Sequence, residues 1–372
     1  MLTAATSLLH AQDDMTFKNL VRNMPDTWYA TPQAQAAADS ILKYQFPSGG
    51  WSKNQNWHQK PNARQWAERD SLLRAISGKE GIGSTIDNGA TTLEMTFLAK
   101  HYAATGKKAS RKAFIGGVEY LLNAQYENGG WPQFYPFKHH RSDGTPFYSD
   151  HITFNDDAIY NVMLMLQALC KDQPPYNQLK LDDKLKERCR QAFDKGIECI
   201  LNCQIRKNGK LTVWCQQHDE TTLLPTNARA FELKSFTGSH ETPNLLKLLM
   251  SVDNPSERIV QAVTAAVEWL QAHAIKDMVQ VPYVNTDGKP DRRLVHQFGA
   301  PLIWARYYDL DTEEPFVCDR DGVKQPAMEY IGYERRTGYG WYSNSPQNVI
   351  DKYPKWLKKV QKKKAAEPQP AK

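Results

Sequence analysis

The sequence predicts an all-α dominated fold, an incomplete α/α toroid of paired helices with short strands in long inserted loops. Three observations predict it. A unit that ends a helix at Gln, makes a glycine turn and returns a Trp recurs roughly every 80 residues. The stretches between the copies carry helical periodicity, and each is long enough for two helices and their connections. Of the 372 residues, 41% are hydrophobic and 24% charged, an ordinary globular composition that excludes a disordered or fibrous chain.

In chain order, residues 2–11 are apolar and uncharged and end Leu9-His10-Ala11. They read as the tail of a secretory signal without its basic start, or else as an unrelated leader, so residues 1–16 are set apart and export, secreted or periplasmic, is expected. The first repeat reads Ala-Asp-Ser-Ile-Leu-Lys-Tyr-Gln45, then Phe-Pro-Ser-Gly-Gly-Trp51. The second reads Val-Glu-Tyr-Leu-Leu-Asn-Ala-Gln125, then Tyr-Glu-Asn-Gly-Gly-Trp131. The third reads Ile-Glu-Cys-Ile-Leu-Asn-Cys-Gln204, then a glycine turn and Trp214, with a weaker echo at 266–273. Apolar spacing predicts helices over 91–102, 158–169 and 256–272, and the polar inserts 132–151 and 277–301 are expected to hold short strands. The body is one domain, 17–357, followed by a basic tail, 358–372, expected to be disordered.

The formal charge of +6 suggests a polyanion, but residues 351–372 alone hold eight Lys against Asp351 and Glu367, and the rest of the chain is neutral. Nucleic-acid binding through an overall field is therefore excluded. No apolar run approaches the ~20 residues of a membrane span. Six scattered cysteines without a CxxC argue against zinc and against a disulfide scaffold, and suit small buried side chains with at most one bridge.

The chemistry-bearing residues come in clusters. Trp51 and Trp131 follow Gly-Gly, where a flat ring serves either to stack on a sugar or to pin a turn. Thr85-Ile-Asp87-Asn88-Gly-Ala-Thr-Thr and Phe154-Asn-Asp156-Asp157-Ala each put acids just before a helix. Either acid could simply cap its helix; two in successive repeats, at one end of the toroid, suit a hard cation such as calcium. Arginines sit among aromatics and glycines in Asn227-Ala-Arg229-Ala-Phe-Glu232, Trp304-Ala-Arg306-Tyr-Tyr, Asp319-Arg320-Asp-Gly and Tyr333-Glu-Arg335-Arg-Thr-Gly-Tyr-Gly-Trp341-Tyr342. Planar forks of this kind grip carboxylates or phosphates. No Walker loop or Gly-x-Gly-x-x-Gly occurs, which disfavours nucleotides. His139, His140 and His151 lack helical metal spacing and read as a surface loop.

These strings, in this order and on this repeat, resemble polysaccharide lyase family 10, the pectate lyases, over residues 30–345. The resemblance implies an α/α toroid that acts as an exported, monomeric catalytic domain on polygalacturonate by calcium-assisted β-elimination. It implies Arg229 as the Brønsted base and Asp87 with Asp156, rather than Asp157, as calcium ligands. Asn88, Arg306, Arg320, Arg335 and Lys53 match substrate contacts. Ser343-Asn-Ser-Pro346 departs from the family's end and puts distal sugar contacts in question. Competing expectations are an α/α-toroid glycoside hydrolase using these acids as a pair, and a non-catalytic pectin-binding protein.

Overall fold

The computed structural model describes residues 15–60, 63–64, 66–67, 83–136, 148–229 and 231–366. They form two compact units, one running to Asp150 and taking in Asp156–Gly196, the other holding His151–Asn155 and Ile197 onward.

The first unit is helical. α1 (Phe17–Asn23) and α2 (Pro32–Lys43) each start at a threonine, Thr16 and Thr31, whose hydroxyl accepts a backbone N–H three residues on. α2 buries Ala34, Ala37, Ala38 and Ile41, a stripe of mostly small side chains that lets α3 (Thr92–Thr105) and α4 (Lys108–Ala124) pack on it. α5 (Ala158–Cys170) packs on α3. α6 (Asp183–Cys203) follows, its first turn held by the Asp182 carboxylate, which accepts the Leu185 N–H at 2.8 Å.

The repeat is written in side-chain-to-backbone hydrogen bonds. Gln45 Nε2 donates to Gly49 O in the turn after it and to Ala113 O on α4, both at 2.8 Å. Gln125 Nε2 donates to Gly129 O (3.0 Å) and to Ala192 O on α6 (2.8 Å). Gln204 Nε2, in the second unit, reaches Thr212 O (2.7 Å) and Ala262 O (2.9 Å). The Trp closing each turn donates back to the helix it left: Trp51 Nε1 to Ile41 O, Trp131 to Leu121 O and Trp214 to Ile200 O. Trp304, donating to Leu270 O, extends the pattern to the weak fourth copy, where His273 stands in place of Gln. All four rings are fully buried, so they pin turns and are not sugar platforms.

The second unit adds short strands. β1 (Ile152–Thr153) comes first, and β2 (Arg206–Lys207) and β3 (Lys210–Leu211) form a hairpin whose turn, Asn208-Gly209, has both residues at positive φ as a type I′ turn requires. β4 (Gln217–His218) returns antiparallel to β1. β5 (Phe236–Thr237) precedes α7 (Glu241–Met250) and α8 (Glu257–Ala272), and then come the long hairpin of β6 (Met278–Val284) and β7 (Pro290–His296) and the pair β8 (Trp304–Ala305) and β9 (Tyr307–Tyr308). β10 (Pro315–Cys318) and β11 (Lys324–Gln325) complete a sheet ordered β11-β10-β9-β5. α9 (Tyr333–Gly338), β12 (Tyr342–Ser343) and α10 (Gln347–Ala366) end the described chain. Tyr307, Phe316, Val317, Met328 and Trp341 form the core behind that sheet.

The helices expected over 91–102, 158–169 and 256–272 are α3, α5 and α8, and the insert at 277–301 carries the β6–β7 hairpin. In the other insert, Phe134 bridges to Thr85, and residues 137–147, with His139 and His140, lie outside the described residues, as do 1–14. Two expectations need correction. The tail is helical to Ala366, because Val349 and Val360 bury against the body and Tyr353 Oη meets Thr264 Oγ1 at 2.8 Å; residues 367–372 are not described. His151 is buried, its Nδ1 2.8 Å from Glu220 Oε2. The six cysteines are free thiols, five of them buried, within the expectation of small buried side chains with at most one bridge; Cys199 and Cys203 touch at 3.9 Å.

Gly129 has φ of 91° and a Cβ there would lie 2.0 Å from Lys195 O, whereas Gly106, φ 68°, faces open space. Gly106→Ala should cost about 1 kcal/mol from backbone conformation alone. Gly129→Ala adds a backbone clash and should cost about 3 kcal/mol or more, read as a shift in denaturant midpoint. Equal losses would mean the helix is free to move away from the turn.

Candidate active site

In the first unit, the string around Asp87 folds into a 3-10 turn, Asp87–Gly89, clamped by its flanking threonines. Thr85 Oγ1 accepts the Asp87 N–H at 3.0 Å, and Thr91 Oγ1 donates to Thr85 O at 2.8 Å while accepting the Trp51 N–H at 3.0 Å. Asn88 (φ 54°) and Thr91 (φ 65°) are left-handed, and for β-branched Thr91 that conformation is costly and held only by this network. Asp87 is 2% exposed and its carboxylate is paired with Lys53 Nζ. Asn88 Nδ2 donates to Asn54 Oδ1 at 3.0 Å. The turn packs on α5, whose entry, Asp156-Asp157, is left-handed at both residues. Asp157 occupies the N-cap position yet makes no side-chain cap bond, and the N-cap before α3 is Thr91. Simple capping therefore does not account for these acids.

Asp87 and Asp156 each offer carboxylate oxygens of the kind a hard cation takes, and the buried Asp87 carboxylate already has the Lys53 ammonium as counter-charge. Beside the turn lies a cavity of ≈ 440 Å³ lined by Asn54, Asn56, Asn88, Leu93 and Glu94. Glu94 is buried, accepts from Trp57 Nε1 at 2.7 Å, and burial pushes its carboxyl up to about 7.

In the second unit the arginines gather on two rings. Arg229, Arg320 and Arg335 stand 4.7, 5.0 and 4.8 Å from the centroid of Phe231. Arg306 and Arg335 share Tyr339, at 4.3 and 4.0 Å. Three of the four have carboxylate partners. Arg229 forks onto the buried Glu232, Nε to Oε2 at 2.9 Å with Nη2 on Oε1. Arg306, 3% exposed, holds Glu241 Oε1 at 2.8 Å and Asn155 Oδ1 at 2.9 Å. Arg320 forks onto Glu334 at the surface. Arg335 is 4% exposed and packs on Phe231, Tyr339 and Trp341; its Nε and Nη2 have no hydrogen-bond partner among the described residues.

Lys53, Asp87, Asn88 and Asp156 thus lie in one unit and the four arginines in the other. The structure ties Arg306 into the interior through Glu241, a positioning contact that its motif alone does not reveal. Phe231, Tyr339, Glu232, Glu241 and Glu94 were not singled out from sequence, although Phe231 and Glu232 lie inside the Arg229 motif. A second cluster, His151, Asp219 and Glu220, has ligand atoms within 4.8 Å of one another. No helix among the described residues is long and apolar enough to cross a membrane.

A family model described as pectic acid lyase matches residues 45–350. A family 10 polysaccharide lyase from Cellvibrio cellulosa matches with a TM-score of 0.73 and 32% identity, over 93% of this chain and 97% of that one. A mutant of the family 10 lyase from the same organism, in complex with trigalacturonic acid, matches with a TM-score of 0.73 and 33% identity, over 92% and 98%. No curated protein matches significantly. Fold and motifs together define a lyase that acts on polysaccharides, with the α/α-toroid fold expected from sequence. The chain belongs to the pectate lyase family, polysaccharide lyase family 10, which sets aside both the hydrolase and the non-catalytic reading.

Glu94 gives this site a pH dependence. Its folded pKa, about 7, lies above the ordinary 4.5, so between those values the folded state holds a proton that the unfolded chain releases. Its contribution to stability is therefore full below pH 4.5 and lost as pH rises through about 7. Glu94→Gln should flatten that decline and raise stability above neutrality by about 1–3 kcal/mol, seen in urea midpoints across pH. A decline unchanged in the variant would assign it to another group.

Proposed function

We propose that the protein is a pectate lyase cleaving polygalacturonate, α-1,4-linked galacturonic acid, by calcium-assisted β-elimination to unsaturated oligogalacturonides. The observation that carries this reading is Arg335, a buried guanidinium on aromatic faces beside Arg229 and Arg320, without a carboxylate partner among the described residues. A uronate polymer supplies that carboxylate; a neutral polymer would leave the charge buried and unpaired. The relative's complex with trigalacturonic acid supports the same substrate class.

In this reading Arg229 removes the C5 proton of a galacturonate, acidified by the adjacent carboxylate. The electron pair forms the C4–C5 double bond, the C4–O bond breaks, and the leaving oxygen takes a proton from solvent. Lys53, Asn88, Arg320 and Arg335 hold the sugars, and Arg306 supports them through Tyr339. Asp87 and Asp156 would hold calcium, which when bound withdraws charge from the uronate carboxylate. A base must be neutral to accept a proton; the neighbouring arginines disfavour charge on Arg229, while the Glu232 carboxylate favours it. Since a free guanidinium titrates far above neutrality, turnover is expected to climb well into alkaline pH. The enzyme acts as a monomer in the secreted or periplasmic space.

With polygalacturonate and calcium, the ultraviolet absorbance of the unsaturated uronate should grow, and EDTA should abolish the growth. Arg229→Ala should lower turnover by orders of magnitude while trigalacturonate still binds. No absorbance, or indifference to EDTA, overturns the mechanism; a near wild-type Arg229→Ala overturns the base.

Arg335→Lys keeps the charge but loses the planar fork and its stacking. Trigalacturonate should bind roughly tenfold more weakly with kcat little changed, as measured by calorimetry and initial rates. Unaltered affinity would place the uronate elsewhere.

A further inference from the structure

The helix α10 carries the protein's entire net charge, since residues outside 351–372 balance to zero. It is seated, not loose: it packs on α7 and α8, and Lys364 pairs with Glu257 at 2.6 Å while Lys363 donates to Asn254 Oδ1 at 3.2 Å. Between α7 and α10 runs a groove of ≈ 490 Å³ whose lining includes Lys247, Met250, Lys352, Lys355, Trp356 and Lys359. Its floor is apolar, and its rim sets four lysines against one carboxylate, Asp351, which accepts from Gln347 Nε2 at 2.8 Å. Unlike Lys363 and Lys364, the exposed Lys352, Lys355 and Lys359 have neither a carboxylate nor any other hydrogen-bond partner among the described residues.

We propose that this groove is a second, non-catalytic binding site for an acidic polysaccharide. The half-buried Trp356 indole offers a flat face for the C–H side of a pyranose ring, and the lysines around it offer point charges to uronate carboxylates. Lys352, Lys355 and Lys359 repeat at about one helical turn, roughly 5.4 Å, close to the length of one sugar unit along a chain. Lysine, with its single mobile ammonium, holds a polymer without fixing its register, the reverse of the arginine forks around Phe231. A lipid surface would need an apolar helix face, but Val349 and Val360 are spent on the body. The identity of the polyanion as polygalacturonate rests on the function proposed above; the site itself does not.

The test is affinity electrophoresis of the full chain in native gels containing polygalacturonate, with the Lys352→Gln/Lys355→Gln/Lys359→Gln variant and, separately, Trp356→Ala. The lysines are exposed, so the triple variant should fold and melt as the wild type does. Retardation should weaken roughly tenfold in the triple variant and fall with salt in the wild type. Calorimetric binding of trigalacturonate and turnover of short oligogalacturonides should stay unchanged, whereas kcat/KM on the polymer should drop. Retardation of the triple variant equal to wild type overturns the proposal. So does wild-type binding to double-stranded DNA or anionic vesicles as strong as to polygalacturonate. Absent turnover with intact, lysine-dependent retardation would overturn the catalytic reading and leave this one standing.

Discussion

Each of the first three repeats depends on a single amide group that spends both its hydrogens at once. Gln125 Nε2 joins the carbonyl of its own turn, Gly129 O, to that of a distant helix, Ala192 O. The turn must therefore lie against that helix closely enough to exclude a side chain, which is why Gly129 meets Lys195 O where a Cβ would stand. The chain is then delivered back under the helix it has just left, where the Trp131 indole finds the Leu121 carbonyl. Everything placed at the helix entries, including the Asp87 turn clamped through Trp51 and Thr91, inherits its position from this arrangement. A long loop can be inserted without disturbing it, as the β6–β7 hairpin between His273 and Trp304 illustrates.

The charged groups follow a different logic. Burying a guanidinium is costly unless something answers its charge, and the second unit uses rings and carboxylates in combination. Phe231 gives three arginines one shared ring, so their guanidinium groups gather around it despite mutual repulsion. Glu232, Glu241 and Glu334 neutralise three of the four, and the excess charge is focused on Arg335. In the first unit the sign is reversed: Asp87 is the buried charge and Lys53 its answer.

Periodicity and turn chemistry made the helical repeat legible, because Gln, Gly-Gly and Trp act locally, within about ten residues of one another. The helix starts at α3, α5 and α8 and the strands of the 277–301 insert were legible for the same reason. The sites were legible only in part. Asp87 and the arginines stand in recognisable strings, but several of their partners are remote: Arg306 meets Glu241 65 residues away, and Arg335 packs on Phe231, more than a hundred positions earlier. Burial of His151 depends on Glu220, 69 residues on, and could not be read from its neighbours. The C-terminal helix was obscured by its own lysines. Val349, Tyr353, Trp356 and Val360 recur at spacings of four, three and four, an amphipathic signature beneath a run of charge that reads as solvated chain.

Six of the ten tryptophans, Trp51, Trp57, Trp131, Trp214, Trp304 and Trp341, are wholly enclosed, and each donates its indole N–H to a protein oxygen. Indole emission shifts to the blue when water is kept from the ring and to the red when water reaches it. The folded protein thus contains its own optical reporters, one at nearly every turn of the repeat. Loosening of any single helix pair would register as a partial colour change, long before the chain as a whole came apart.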